Sequence, residues 1–277
     1  MSMSIRTNVS SLNAQRNLYT TQNALSDSLS KLSSGYRITK AGDDAAGLGI
    51  STKLESQIRS YSQATRNAND GISVIQSTEA ALNESANILT RLRELAMQSS
   101  SDGVGASERG YINTESTQLL SELDRIASVT EYNGTKLLNG VSASALDFQV
   151  GIANTGNDRI SFKTIDATTS ASGLAVTGMD LSNKASAQAA LDTIDKALAT
   201  VSSNRSTLGA AGNRFQSAIN NIQAFSESLS AANSRIKDVD VAEETSRMAR
   251  SQILMQAGVS VLAQANQAPQ LALKLLG

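Results

Sequence analysis

Apolar residues recur at alternating steps of four and three over two long stretches of the chain. The first runs Leu54, Ile58, Tyr61, Thr65, Ala68, Ile72, Ile75, Leu82, Ala86, Leu89 and Ala96, with Glu79 in the remaining slot. This spacing keeps one face of a helix against a partner, and it is sustained for roughly six heptads. It predicts one helix from about 44 to 99, some ~80 Å long at 1.5 Å per residue. A second stripe, Val74, Ala81, Ile88 and Leu95, steps by seven. Two stripes imply neighbours on two sides, as in a bundle. The other long stretch runs Ala187, Leu191, Ile194, Leu198, Val201, Leu208, Phe215, Ile219, Ile222, Leu229 and Ile236, with Arg205, Gly212, Ser226 and Asn233 filling its slots. It predicts a second helix of similar length.

Between them, Gly103 and Gly105 break the pattern, and a shorter helix follows with Ile112, Leu119, Leu123 and Ile126 inward and Ser107 as its N-cap. Asn133-Gly134 and Asn139-Gly140 are turn signals. From about 141 to 178 Gly, Ser and Thr abound, and Phe148-Gln149-Val150 and Ile160-Ser161-Phe162 alternate as short antiparallel strands do. The ends carry their own heptad steps: Ile5, Leu12 and Tyr19; Leu18, Leu25 and Leu32 with Leu29; then Val241, Met248, Met255 and Leu262 with Val259, before a Leu-rich tail that includes Leu271 and Leu273. The prediction is a mainly α chain: a long antiparallel helical rod or coiled-coil bundle with a small β-hairpin region. Residues 1–42 and 236–277 pair as a discontinuous unit of terminal helices. Residues 43–235 form the helical rod, with a short variable β region at about 130–180. A terminal pair buries too little apolar surface to be secure alone. Its polar faces hold Gln, Asn, Ser and Ala with few charges, which suits packing against copies of the same chain.

Composition narrows the chemistry. Among 277 residues there is no Cys, no His and no Trp, one Pro, and a net charge of -1. Absence of Cys removes disulfides and thiolate nucleophiles, and absence of His removes the commonest general base and transition-metal ligand. No pair among the remaining Asp, Glu, Lys, Tyr and Ser has a spacing that nominates it for catalysis. The expectation is no enzyme, no cofactor and no metal. Near-neutral charge gives no reason to expect nucleic acid. No run approaches 18 apolar residues and the first residues lack an apolar core, so neither membrane insertion nor a cleaved signal peptide is expected. Asp43 and Asp44, after Gly42, read as helix caps. Asp238, Asp240, Glu243 and Glu244 read as acids favoured by the N-terminal dipole of the last helix. Four Asn-X-Ser/Thr sequons, at Asn8, Asn83, Asn133 and Asn204, occur at a frequency near chance.

Three segments resemble the N-terminal signature of bacterial flagellin: Ser4 to Leu18 (SIRTNVSSLNAQRNL), Leu32 to Ser51 (LSSGYRITKAGDDAAGLGIS) and Asn67 to Glu79 (NANDGISVIQSTE). Arg235 to Gly277, with SQILMQAGVSVLAQANQAPQLALKLLG, resembles its C-terminal signature, and NGTKLLNG at 133–140 resembles the turn after its short helix. The resemblance covers roughly 1–140 and 185–277 and leaves 141–180 unmatched. It implies a structural subunit, exported unfolded through the flagellar type III apparatus, that folds under a cap at the tip of an extracellular filament used for swimming. The apolar terminal positions named above would then pack the polymer core. Implied partners are copies of itself, an export chaperone, the filament cap and hook-junction proteins. The family also contacts an animal Toll-like receptor. By motif, Leu89, Arg91, Leu95, Gln98 and Glu115 match that contact patch. A hook-filament junction protein and a monomeric secreted adhesin are the alternatives, and O-linked glycans on 141–180 are a further possibility for such a chain.

Overall fold

The computed structural model describes residues 7–140 and 145–276, with side chains described up to residue 267. Ile5 lies outside the described residues, and the side chains of Leu271 and Leu273 lie outside the described set. The chain is mainly α. Helix α1 spans Val9–Ser34, α2 Ala45–Ser99, α3 Ala106–Val129, α4 Lys184–Lys237 and α5 Val241–Leu276. Two small antiparallel hairpins lie between α3 and α4: β1 (Glu131–Tyr132) with β2 (Thr135–Lys136), and β3 (Ala145–Gln149) with β4 (Arg159–Lys163). The chain divides into two compact units. One comprises residues 1–58 and 227–277, the other Arg59–Ser226. The divisions fall inside α2 and α4, beyond the helix breaks near 42 and 236.

In the unit built from Arg59–Ser226, α2 and α4 pack antiparallel. Tyr61 stacks on Phe225, Gly71 faces Phe215, Arg205 approaches Glu79 and Arg93 pairs with Asp195. Residue numbers fall on one helix as they rise on the other, so a single register runs through the pair. The heptad steps are present, with one change. On α2 the buried line is Ala64, Ala68, Gly71, Ile75, Thr78, Leu82, Ser85, Leu89, Leu92, Ala96 and Ser99. Hydrophobicity places half of this line one position later, at Thr65, Ile72 and Ala86, which are only half-buried. Helix α4 shows the same offset: Ala190 and Ala197 are buried where Leu191 and Leu198 are not.

At Gly71 a small residue wins its slot because it leaves room for a large side chain from the facing helix. A Cβ on Gly71 would sit 2.6 Å from the Phe215 ring. That ring is fully buried and held edge-on by Phe148, with centroids 5.6 Å apart, so it cannot yield. The hydroxyls in the seam carry no desolvation penalty, because each donates to a carbonyl: Thr78 to Val74 at 2.8 Å, Ser85 to Ala81 at 3.0 Å and Ser99 to Leu181 at 2.6 Å. The second stripe is also seen. Val74 and Leu95 are buried, and Ala81 and Ile88 pack partly buried against the same core.

Helix α3 begins at Ala106 with Gly105 at its N-cap and no side-chain cap, so Ser107 does not cap it. It buries Ile112 and Leu123, while Leu119 and Ile126 are half-buried. The β1–β2 turn puts Asn133 and Gly134 at positive φ, 48° and 77°, the conformation a two-residue hairpin needs. In the second hairpin Leu146 pairs with Phe162 and Phe148 with Ile160, so Phe148 stacks on Phe162 at 5.8 Å and faces the core. Residues 164–183 form no strand. They are pinned instead by Ile165 N–H to Leu137 O, Thr169 N–H to the Asp124 carboxylate and Leu181 N–H to Asn113 Oδ1.

In the other unit α1 and α5 pair antiparallel. Asn8 Nδ2 donates to Ala265 O at 2.8 Å, Ser11 Oγ to Asn266 Oδ1 at 2.8 Å, and Gly258 lies against Leu18. Asn8 caps α1 by accepting from Ser11 N–H, and Gly35 ends it in the left-handed region at φ 74°. The connections at 35–40 and 237–240 pair through Arg37 N–H to Lys237 O and Val239 N–H to Gly35 O.

Gly71→Val is expected to destabilise the Arg59–Ser226 unit by about 1–3 kcal/mol through overpacking against Phe215. Gly209→Ala, in open space on α4, is expected to stabilise it by about 0.5–1 kcal/mol through helix entropy. Urea unfolding of both variants measures the pair, and a stabilising Gly71→Val would refute the packing of Phe215 over Gly71.

Candidate interaction surfaces

The pairing of α1 with α5 uses one line of each helix. On α1 the half-buried residues are Ser11, Ala14, Leu18, Thr21, Leu25, Lys31 and Leu32, with Ser28 buried. On α5 the inward line is Glu244, Met248, Ser251, Met255, Gly258, Leu262 and Ala265. Thus Leu18, Leu25, Leu32, Met248, Met255 and Leu262 pack within this unit. Leu12, Leu29, Val241 and Val259 are exposed, and Tyr19 is 68% exposed. Inspection of seven-residue steps merged these two sets, because it counts apolar residues without knowing which line meets the intramolecular partner. The structure adds three residues to the outward set on α5: Ile253 at 66% exposure, Leu254 and Val261. Their signal was readable as an apolar excess on all sides of the last helix, the mark of a helix with partners around it. Single exposed apolar residues are ordinary, but two paired helices each presenting a row of them are not.

The segment at 39–47 is a double cap. Asp43 Oδ2 accepts from Thr39 N–H, Thr39 Oγ1 and Lys40 N–H at 3.0–3.1 Å. Asp44 Oδ1 accepts from Gly47 N–H at 2.8 Å, so Asp44 caps α2. At the start of α5 Asp240 Oδ1 accepts from Ala242 and Glu243 N–H. Both acidic clusters therefore serve helix ends. No group of three or more metal-ligating side chains is assembled among the described residues, and none of their helices is long and apolar enough to cross a membrane. Next to the first cap, Lys237 Nζ lies 2.5 Å from Glu55 Oε1 and 4.3 Å from the centre of the Tyr36 ring.

Of the five residues matched by motif to a receptor patch, the structure brings three to one exposed face. Arg91 donates from Nε to Glu115 Oε1 across α2 and α3 at 3.0 Å, and from Nη1 to Glu94 Oε2 at 3.0 Å. Gln98 is exposed near the end of α2. Leu89 and Leu95 are 0% and 2% exposed. Their side chains belong to the core of this unit and are not part of the exposed face. Glu94 is the member that motif matching missed. It lies three residues after Arg91 on the same helix face, a spacing that favours an ion pair. Its hydrogen bond, followed by that of Glu115, raises the Arg91 pKa further above its already high value.

These surfaces can be set beside known proteins. Residues 5–143 match the bacterial flagellin N-terminal helical region, and residues 191–276 match the bacterial flagellin C-terminal helical region. The chain is 45% identical to the flagellin of Halalkalibacterium halodurans over 274 residues, 99% of this chain and 100% of that one. It is 39% identical to the flagellar filament 33 kDa core protein of Treponema phagedenis over 287 residues, again 99% and 100%. The crystal structure of Bacillus cereus flagellin superimposes with a TM-score of 0.51 at 28% identity, covering 57% of this chain and 88% of that one. The chain belongs to the bacterial flagellin family, here in a short form without a large variable domain. Members of this family are structural proteins and not enzymes.

The charged contacts set the response to pH. The hydrogen bond from Thr39 N–H lowers the Asp43 pKa, that from Lys184 lowers Asp102, and that from Arg93 lowers Asp195. A lowered carboxylate stabilises above its unfolded value, 3.8, and its contribution is lost as pH falls through the lower folded value. The Glu55 hydrogen bond raises Lys237 and the Asp27 hydrogen bond raises Lys40. Their contributions are full below 10.5 and are lost as pH rises through still higher folded values. The melting temperature should therefore be flat between roughly pH 5 and 9 and fall outside it. Asp43→Asn should lessen the acid limb, and the individual steps should be small because these pairs are exposed.

Proposed function

We propose that this chain is the subunit of an extracellular flagellar filament used for swimming, exported unfolded and polymerised through α1 and α5. The observation that carries this reading is the row of apolar side chains left outward by the α1–α5 pair: Leu12, Tyr19 and Leu29 on one helix, Val241, Ile253, Leu254, Val259 and Val261 on the other. Their burial between copies would contribute roughly 1.5–3 kcal/mol each before ordering costs. In a dilute monomer the terminal pair has only half-buried inner lines to hold it, so its helices exchange amide hydrogens readily. In the polymer they gain neighbours and become protected, a coupling of folding to assembly. Residues 1–42 and 236–277 form the inner core of this filament, and 43–235 its outer core. Export under a chaperone is favoured by a chain with no Cys and one Pro, which has no disulfide to reshuffle and a single X-Pro bond to isomerise. A filament cap and hook-junction proteins complete the set of partners.

Negative-stain microscopy after seeded polymerisation tests this directly. The full chain should give filaments, and a 236–277 deletion should give none while keeping the helical signal of the Arg59–Ser226 unit. Leu12→Glu and Val259→Glu should block growth while leaving the monomer's stability within about 0.5 kcal/mol, as surface substitutions do. Filaments from the deletion, or from both charged variants, would overturn polymerisation through the ends.

A second reading concerns the exposed ion-pair face. Arg91, Gln98 and Glu115, with Glu94, form the part of the monomer that meets the flagellin-sensing Toll-like receptor, while Leu89 and Leu95 stay in the core. An Arg whose planar guanidinium is held in position by two carboxylates is preorganised for stacked contact. Arg91→Ala should reduce activation of receptor-bearing cells at least about tenfold, equivalent to roughly 1.4 kcal/mol. Unchanged activation would sink this reading and leave the filament reading standing.

A further inference from the structure

A cleft of about 640 Å³ lies between the β3–β4 hairpin, the loop after it and the outer side of α4. Its floor is apolar: Phe162, Leu208 and Ala211 are each less than a tenth exposed. The rim is polar, with Ser161 on β4 and Asn204 on α4. Two cations line the same cleft, Lys163 at the end of β4 and Arg214 on α4. Elsewhere on α2, α3 and α4, Arg91, Arg93, Arg125, Lys184 and Arg205 each have a carboxylate within ion-pair distance. Lys163 and Arg214 have no carboxylate in ion-pair range among the described residues, and neither the Ser161 hydroxyl nor the Asn204 amide has a hydrogen-bond partner there. The one carboxylate in the lining, Asp166, is turned to its own loop. It accepts from Thr168 N–H, Thr168 Oγ1 and Ser172 Oγ at 3.1, 2.6 and 2.8 Å. Burial alone would raise its pKa, but those hydrogen bonds prevail and lower it, so it is ionised and already satisfied.

We propose that this cleft binds an acidic sugar, a monosaccharide-sized ligand carrying a carboxylate or phosphate. The volume falls within the range of small-molecule sites, which combine an apolar floor with a few convergent polar groups. The Phe162, Leu208 and Ala211 floor suits the apolar face of a pyranose ring. Ser161 and Asn204 offer both donors and acceptors to ring hydroxyls. Lys163 and Arg214 supply the charge for an oxyanion, Arg with a planar fork and Lys as a point charge. The two cations come from elements far apart in sequence, a hairpin strand and a helix, so the fold and not local composition assembles them. The site lies wholly within the Arg59–Ser226 unit and is independent of the filament reading.

Isothermal titration or ligand-detected NMR on the full-length monomer at low salt tests the proposal, with glucuronate and glucose 6-phosphate as probes and glucose and inorganic phosphate as references. Both acidic sugars should bind at least about tenfold more tightly than either reference, and added salt should weaken them. Lys163→Gln with Arg214→Gln should lose that binding at least tenfold, with an unchanged helical signal. Ser161→Ala with Asn204→Ala should weaken both sugars without altering phosphate. Arg205→Gln, whose partner is Glu79, should leave binding intact. Three outcomes would overturn the proposal: no binding by either acidic sugar, binding that survives loss of both cations, or inorganic phosphate binding as well as glucose 6-phosphate.

Discussion

The fold of the Arg59–Ser226 unit depends on the fit of the Phe215 ring on α4 over Gly71 on α2. Gly71 gives its whole side-chain volume to the Phe215 ring, and that ring in turn anchors Phe148 and, through it, Phe162 and the second hairpin. With aromatics at only 3% of the chain, these few rings hold most of the large-ring packing. The rest of the seam is Ala, Ser, Thr, Leu and Ile at heptad spacing. Dispersion is collectively large where side chains of unequal size interlock without voids, as Phe215 does over Gly71. Hydroxyls are admitted because the helix supplies its own acceptors, so Thr78 and Ser85 occupy the seam at no cost in unsatisfied polar groups.

The terminal unit obeys the same heptad rule with a different result. Its inner line has Ser11, Ala14, Thr21 and Ser28 on α1, and Ser251, Gly258 and Ala265 on α5, interleaved with Leu and Met. Almost nothing there is fully buried. A second set of large apolar residues, Tyr19, Ile253 and Val261 among them, is placed outward. One unit thus keeps its apolar surface inside and the other displays it, which is the division of labour expected of a flagellin: a subunit that is stable in one part and completed by assembly in another.

Much of this was legible in the sequence. Heptad steps located α2 to within a residue of Ala45–Ser99, the Asn133-Gly134 dipeptide marked its hairpin, and alternation at 148–150 and 160–162 marked β3 and β4. Flagellin signatures at both ends named the family. Legibility failed where small or polar residues do the packing. Hydrophobicity ranks Ile72 above Gly71 and Leu191 above Ala190, yet Gly71 and Ala190 face the core, and at Gly71 the reason is the Phe215 ring that fills the space a side chain would take. Ser107 had the composition of an N-cap, but α3 starts at Ala106 and its N-cap is Gly105, two residues before Ser107, where no side-chain cap forms.

The sequence by itself determined what is periodic and what is missing. Spacing sets helix length and face, and a chain without His or Cys has no thiolate or imidazole chemistry. Tertiary structure alone decided which of two adjacent heptad lines meets a partner, because rotating a helix by one residue leaves the sequence pattern intact and changes every contact. It sorted the terminal apolar residues into those that pair α1 with α5 and those left outward. It placed Leu89 and Leu95 in the core, off the exposed face that carries Arg91. It also brought Lys163 and Arg214, 51 residues apart in the chain, to one cleft. Such neighbourhoods arise from the register between distant segments, and register is a property of packing energy that no local pattern encodes.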